Sequence, residues 1–220
     1  MTELDHLVLA TPRLSETVAT VARLTGLEPV AGGQHIGRGT RNFLLGVGLG
    51  LGLSHSGYLE IIGPDPEQPE PSQPRPFDID SLTGPRLVSW AVRVPDIDAA
   101  IAAVRAEGFD PGDASAMSRT TPDGKTLDWR LTTQSPTGLI PFLIDWGGSQ
   151  HPSLALPRLQ LLRLTAVHPD PDAISAQLRA VSVEVAETDD APRTAVAVRP
   201  GIREMLSAVV EGPKGPIALL

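Results

Sequence analysis

The sequence contains no cysteine. This absence excludes disulfide bonds, cysteine-ligated zinc, iron–sulfur clusters and thiol nucleophiles. There is also no run of lysine or arginine, and the formal net charge is −8. Nucleic-acid-binding proteins usually carry a basic face, so DNA, RNA and anionic membrane surfaces are not expected as the main partner.

Long hydrophobic runs are missing as well. The longest apolar stretch, residues 43–53, alternates with glycine and is too short to cross a bilayer. The first residues, MTELDH, lack the basic segment of a secretory signal peptide. We therefore expect a soluble, cytoplasmic protein without membrane attachment.

Aromatic residues are scarce, at 4% of the chain, whereas the hydrophobic share of 41% and the charged share of 20% are ordinary for a globular protein. The core must therefore consist mainly of aliphatic side chains. The three tryptophans are consequently worth individual attention, either as core residues or as the wall of a ligand site.

Three segments, residues 4–30, 87–112 and 159–185, share one pattern. Each has an apolar stretch with β-branched residues, then a turn containing proline, then apolar positions at helical spacing. Gly26 and Gly108 follow the first two predicted helices, where a left-handed glycine typically ends a helix. The third segment lacks this glycine and is the most divergent copy.

Further strand-like runs follow each predicted helix, so the repeating unit is a βαβββ module. Paired modules are predicted over residues 4–147, with module one at 4–63, module two at 86–147 and a proline-rich linker at 64–77. A third, divergent module is predicted over residues 158–220. A hairpin turn is predicted at residues 122–125.

Several short motifs accompany this repeat. They are DHLVL at residues 5–9, YLEIIGPDP at 58–66, WAVRV at 90–94, MSR at 117–119 with PDG at 122–124, and PFLIDWG at 141–147. Together with the repeated module, they resemble the glyoxalase-like branch of the vicinal-oxygen-chelate superfamily, which includes glyoxalases, bleomycin-resistance proteins and dioxygenases. The resemblance is clearest over residues 4–152.

The resemblance implies an α+β fold in which two modules form a half-barrel around a cup, with a third C-terminal module. In such proteins a His on the first strand and a Glu on the last strand of each module hold a divalent metal. His6 and Glu60 match these positions in module one. In module two the repeat places Trp90 and Ile144 there, and neither can bind a metal. The cofactor is left unknown, and a retained divalent metal is disfavoured.

Three interpretations of His6 and Glu60 stay open. They are metal ligands in an incomplete set, which His151 completes if its loop folds back; or a catalytic acid/base pair in an apolar cup; or a structural polar pair.

Six further residues are candidates for binding a substrate: Trp90, Trp129, Trp146, Asn42, Arg119 and Tyr58. The alternative roles are core packing for the tryptophans, a turn for Asn42, and a solvated surface position for Arg119. An arginine at the rim of the cup suits a carboxylate ligand.

Two functions remain at this stage. The first is a lyase, isomerase or dioxygenase acting on a small molecule with neighbouring oxygens. The second is a protein that binds a small molecule without chemistry, in sequestration or resistance, with a degenerate metal site. A homodimer is a possible partner arrangement, because module three has no partner for its sheet within the chain.

Overall fold

The computed structural model describes residues 3–48, 56–121, 124–133, 135, 137–186 and 195–220. The predicted turn residues Pro122 and Asp123 and the end of the apolar stretch beyond residue 48 lie outside these ranges. Modules one and two each begin with a strand, continue with a helix and end with three strands. The elements of module one are β1 (Glu3–Ala10), α1 (Leu14–Thr25), β2 (Val30–His35), β3 (Thr40–Gly48) and β4 (Ser56–Pro64). Those of module two are β5 (Arg86–Arg93), α2 (Ile97–Ala106), β6 (Ser115–Thr120), β7 (Thr126–Leu131) and β8 (Phe142–Asp145).

The eight strands of these modules form a ring. In each module the first strand runs parallel to the last, β1 beside β4 and β5 beside β8, and the remaining strands continue antiparallel. β1 and β5 join the modules on one side. On the other side β2 meets β6 through a single residue pair, Gln34 and Thr120. The predicted α+β fold is confirmed. One residue pair closes the barrel at the junction between β2 and β6, which we call the seam.

Alternation along the strands gives the barrel two apolar faces. Leu7, Leu59 and Ile61 face outward into a large core that also takes up side chains of the helices, such as Ile101. A second buried cluster fills the barrel interior and comprises Val8, Ala10, Leu44, Tyr58, Ile62, Ile79, Ala91, Phe142, Ile144 and Trp146.

Helices α1 and α2 are followed by the two glycines that the sequence predicts at their C-terminal ends. Gly26 has φ 78° and its N–H donates to the carbonyl of Ala22, and Gly108 has φ 85°. Both are left-handed conformations in which glycine pays no Cβ penalty. Within the described parts of the chain, no helix is both long and apolar enough to cross a membrane.

Module three departs from the first two in its strand pairing. Its elements are β9 (Arg158–His168), α3 (Pro171–Ala180), β10 (Val185–Ala186), β11 (Val196–Pro200), β12 (Met205–Gly212) and β13 (Gly215–Leu219). β9 lies between a parallel neighbour, β11, and an antiparallel one, β12, and its first residues pair with β3 of the barrel. Two short 3-10 helices, Pro76–Ser81 and Pro152–Ala155, lie in the connections between modules. Module three thus extends the barrel's sheet.

Candidate functional site

A cavity of about 250 Å³ opens inside the barrel. Its apolar wall comes from both modules and includes Ile62, Phe77, Met117, Trp129, Leu131, Phe142, Ile144 and Trp146. Its polar lining includes His6, His35, Asn42, Tyr58, Glu60 and Arg119. Five of these six polar residues come from module one.

Asp5 and His6 form the most buried ionisable pair at the site. The Nδ1 atom of His6 lies 2.6 Å from Oδ1 of Asp5, whose side chain is fully buried. The other carboxylate oxygen of Asp5 accepts hydrogen bonds from Nε1 of Trp146 at 2.9 Å and from Nε2 of His151 at 3.0 Å. Three nitrogen donors therefore surround one carboxylate.

These contacts keep Asp5 ionised. Burial alone would raise its pKa, but the hydrogen bonds from His151 and His6 and the charges of those rings together hold the pKa of Asp5 well below its usual range. An ionised carboxylate can only accept, so Nδ1 of His6 carries a proton, and in the neutral form of the ring Nε2 then presents a lone pair.

A β-bulge explains how Asp5 reaches its partners. The pairing of β1 with β5 shifts between Leu4 and His6, so Asp5 is an extra residue without an opposite neighbour. Such a bulge redirects a side chain that regular alternation would turn to the other face. Asp5 and His6 can consequently contact each other although they are adjacent in sequence.

The ring of His6 is held between aromatic groups. Tyr58 stacks on it with ring centroids 4.7 Å apart and planes 15° apart, and Phe142 meets it edge-on at 5.4 Å. The second nitrogen, Nε2, lies 3.9 Å from Oε2 of Glu60, and both residues line the cavity. This distance is too long for a hydrogen bond. His6 and Glu60 are thus neighbours in the cavity without being bonded.

Asn42 links Glu60 to Arg119. Its amide nitrogen donates to Oε1 of Glu60 at 2.6 Å, and its amide oxygen accepts from a terminal nitrogen of Arg119 at 3.2 Å. Asn42 lies on β3 and Arg119 on β6, so this chain of hydrogen bonds crosses between the modules. Asn42 is buried within a strand, and the alternative of a turn is wrong for it.

His35 and Tyr58 complete the polar lining in their neutral forms. Burial lowers the pKa of His35, and the charge of Glu60 counteracts this only in part. Its Nδ1 lies 3.0 Å from the hydroxyl of Thr40, and its Nε2 lies 3.8 Å from Glu60. Burial, reinforced by the charges of Asp5 and Glu60, raises the pKa of Tyr58 well above its usual value.

Most sequence-predicted site residues meet in this cavity. His6, Glu60, Asn42, Tyr58, Arg119, Trp129 and Trp146 all line it. Trp129 and Trp146 pack together with ring centroids 5.2 Å apart. Arg119 is only 4% exposed, so the alternative of a solvated surface position is wrong for it.

Trp90 does not line the cavity. It is 2% exposed, packs in the outer core and donates from Nε1 to the carbonyl of Leu139. The residue opposite His6 is Ala91, which faces the barrel interior, and Trp90 lies opposite Leu7. The prediction is off by one residue, and because strand side chains alternate, this reverses the face.

The sequence analysis does not identify Asp5 or His35 as site residues, and it names His151 only as a conditional metal ligand. Regular strand alternation would turn Asp5 away from His6, and the bulge reverses this. His35 lies in a glycine-rich segment that gives no signal. The loop of His151 does fold back, but its ring contacts Asp5, Tyr58 and Trp146 rather than Glu60.

The residues present do not fit the divalent metal site that the resemblance implies. The pairing of β8 with β5 places Ile144 in the position that Glu60 holds between β4 and β1, and Ala91 in that of His6. Both are apolar, which leaves two ligands where a protein site normally has at least three. Among the described residues, no group of three or more His, Asp or Glu side chains is arranged to hold a metal ion.

Several solved structures are similar to this chain at low sequence identity. A hypothetical protein from Staphylococcus aureus superposes with a TM-score of 0.60 at 14% identity, covering 100% of this chain and 85% of its own. A mutant of 4-hydroxymandelate synthase from Streptomyces coelicolor gives 0.52 at 11% identity, covering 99% and 62%. A methylmalonyl-CoA epimerase in complex with methylmalonyl-CoA and NH4+ gives 0.47 at 19% identity, covering 69% and 99%.

Among curated proteins, none matches the chain significantly. The profile of the glyoxalase-like domain matches residues 4–182, which include the barrel, its cavity and the first part of module three. The chain therefore belongs to the family of glyoxalase-like domain proteins in the vicinal-oxygen-chelate superfamily.

Proposed function

We propose that this protein binds a small organic molecule in the barrel cavity and transfers a proton on it, with His6 as the base. The observation that carries the proposal is the orientation of His6. One ring nitrogen is bonded to the buried Asp5 carboxylate, and the other is directed toward Glu60, which lines the cavity together with His6.

This arrangement suits proton abstraction from a carbon next to a carbonyl. The C–H bond breaks, its electron pair passes into the carbonyl group, and a new N–H bond forms at Nε2 of His6. The resulting imidazolium lies against the Asp5 carboxylate, which stabilises it without itself accepting a proton. Return of the proton to the same carbon or its neighbour completes an epimerisation or isomerisation, and replacement of the N–H proton by one from solvent before its return completes an exchange.

Glu60 is the second group in this proposal. Its carboxylate faces Nε2 of His6 across 3.9 Å and is fixed by the short hydrogen bond from Asn42. A carboxylate in this position can accept a proton from the substrate or return one to it, on the same side of the cavity as His6. Of the predicted reaction classes, an isomerase or lyase is favoured over a dioxygenase, because Ala91 and Ile144 leave the metal ligand set incomplete.

The test is deuterium exchange at a carbon acid, followed by NMR in D2O. The probes are β-benzoylpropionate and its neutral methyl ester, which carry exchangeable hydrogens next to a ketone. The wild-type protein is expected to exchange at least one of them faster than buffer does. His6→Gln should lower that rate by about 100-fold or more, within the range of general acid–base catalysis.

The matched control is His168→Gln, at the end of β9, where the ring contacts Asp170 and Glu204 outside the cavity. Its exchange rate should equal that of the wild type. Equal rates for His6→Gln and wild type would refute the proposal.

A second candidate is binding without chemistry, and the apolar counterparts Ala91 and Ile144 favour it. A cavity lined by Trp129 and Trp146 should report an occupant by a change in tryptophan fluorescence. Fluorescence quenching by both probes without any proton exchange would select this candidate over the first.

A further inference from the structure

We infer that the occupant of this cavity is a monocarboxylic acid with an apolar body, and that Arg119 binds its carboxylate. This inference rests on the small-molecule site proposed above and names the class of its ligand.

The first observation is the environment of the Arg119 guanidinium. The residue is 4% exposed, and its one hydrogen bond to the described part of the chain goes to the amide oxygen of Asn42. Ser89 Oγ is the sole fully buried, unpartnered polar side-chain atom among the described residues. The remaining nitrogens of Arg119 therefore keep some accessible surface, and the residue lines the cavity.

A buried guanidinium normally lies against a carboxylate. Within the described ranges Arg119 has no carboxylate within ion-pair distance, and Asn42 stands between it and Glu60. The planar fork of N–H groups matches a carboxylate in two parallel hydrogen bonds. A carboxylic acid that enters the cavity would supply the carboxylate partner that no described residue of the protein provides for Arg119.

The second observation is the space that β2 leaves for this side chain. A Cβ atom on Gly32 would lie 2.3 Å from the amide oxygen of Asn42 and 2.7 Å from a terminal nitrogen of Arg119. Any side chain there would displace the pair. Gly32 therefore lets Arg119 cross the seam between the modules and reach the cavity, which is unnecessary for a surface arginine.

The charge of the lining gives the third argument. Two guanidinium groups, of Arg38 and Arg119, and one carboxylate, of Glu60, line the cavity, while the buried His35 is neutral. One bound monoanion balances these lining charges; the Asp5 carboxylate is not among them, because it lies behind the lining against His6, His151 and Trp146. A dicarboxylate would leave an excess negative charge in a buried site, which is costly.

The apolar wall determines the rest of the ligand. Trp129, Trp146, Phe142 and Ile144 offer no hydrogen-bond partner to a ligand except the indole nitrogens, and that of Trp146 is already bonded to Asp5. The cavity volume of about 250 Å³ equals that of roughly eight water molecules. An aryl or branched alkyl group of this size fits the wall.

The experiment compares acids with their amides, which have the same shape but no charge. The pairs are phenylacetate and phenylacetamide, hydrocinnamate and hydrocinnamide, and isocaproate and isocaproamide, titrated calorimetrically. For the wild type we expect at least one acid to bind about tenfold or more tighter than its amide. Binding of every acid weaker than about 10 mM, or equal affinity of acid and amide, overturns the inference.

Substitutions then assign the preference to a residue. Arg119→Met should abolish the preference for the acid, and Arg119→Lys should retain part of it. Arg130→Met is the matched control on the neighbouring strand β7, where Arg130 pairs with Asp98 on the surface, and it should bind like the wild type. An unchanged preference in a folded Arg119→Met protein overturns the inference; if that variant does not fold, Arg119→Lys and the wild-type acid–amide comparison decide.

The acid–amide comparison and the proton-exchange experiment can fail independently of each other. His6→Gln should keep the preference for acids while losing proton exchange. Exchange of the methyl ester by a wild-type protein without any acid preference would support the proposed function and refute the carboxylate site.

Discussion

Module one and module two place equivalent strands around one cavity, and the equivalent positions carry different chemistry. Where module one has His6 beside Tyr58 and Glu60 on the adjoining strand, module two has Ala91 beside Phe142 and Ile144. The first and last strands of both modules pair in the same parallel register. The side chains at equivalent positions differ, so the cavity has an ionisable side and an apolar side.

Module two still contributes two polar functions, and both support module one. Trp146 donates to Asp5, and Arg119 donates to Asn42. Neither residue occupies a position equivalent to His6 or Glu60. The second module therefore supplies much of the apolar wall and two hydrogen-bond donors, whereas the first supplies most of the ionisable groups of the lining.

The largest effect is expected from neutralising the buried anion of module one. Asp5→Asn removes the negative charge of the carboxylate that accepts hydrogen bonds from His6, His151 and Trp146. Because breaking a buried charged pair is strongly destabilising, the free energy of unfolding should fall by about 3–5 kcal/mol. Urea denaturation measures this change.

The control for that variant is Asp113→Asn in module two, an exposed residue paired with Arg105. Its effect should stay within about 0.5 kcal/mol. Similar losses for both variants would show that Asp5 is not the centre of a buried network.

A second prediction restores the symmetry between the modules. Ala91→His combined with Ile144→Glu should supply the two absent ligands beside His6 and Glu60. We expect zinc to bind about 100-fold or more tighter than to the wild type, roughly 2.8 kcal/mol. Equilibrium dialysis with metal analysis measures the affinity, and circular dichroism confirms that the variant is folded.

The control replaces the residue that the sequence alone would select. Trp90→His combined with Ile144→Glu should bind zinc no tighter than Ile144→Glu alone, since Trp90 faces the outer core. Tighter binding by this variant would contradict the strand register described above.

The smallest effect concerns His35 of module one. Burial lowers its pKa below the ordinary value of 6.5, so the unfolded chain takes up this proton first as the pH falls. The stability associated with neutral His35 is therefore present above pH 6.5 and decreases below it. In His35→Gln the slope of unfolding free energy against pH should be shallower by at most about 1.4 kcal/mol per pH unit.

Urea titrations across the range between neutral and mildly acidic pH provide this slope, and His168→Gln serves as the control because its ring lies outside the cavity. If His35→Gln and the wild type lose stability in parallel, the buried neutral histidine is not responsible.

The sequence predicts the modules because their signals are local and repeated. Helical spacing, the glycines at positions 26 and 108 and the proline-rich linker each act within a few residues. His6 and Glu60 could be placed because the resemblance to the glyoxalase-like branch assigns site positions to the first and last strands of a module.

Register and bulges are harder to predict. The strand parity of Trp90 depends on a one-residue shift between β1 and β5, which no local pattern records. The same irregularity turns Asp5 toward His6. Arg119 could be named as a candidate, but its burial follows from contacts 77 residues apart in the chain and from the space at Gly32.

The seam between β2 and β6 is the weakest junction in the pairing of the barrel strands. A single backbone pair closes the ring there, and the hydrogen bond from Arg119 to Asn42 crosses it close by. A ligand that contacts both Arg119 on one module and His6 on the other would bridge the two modules across this gap. Part of its binding free energy would then stabilise the pairing of the modules, so that ligand binding and closure of the barrel would be coupled.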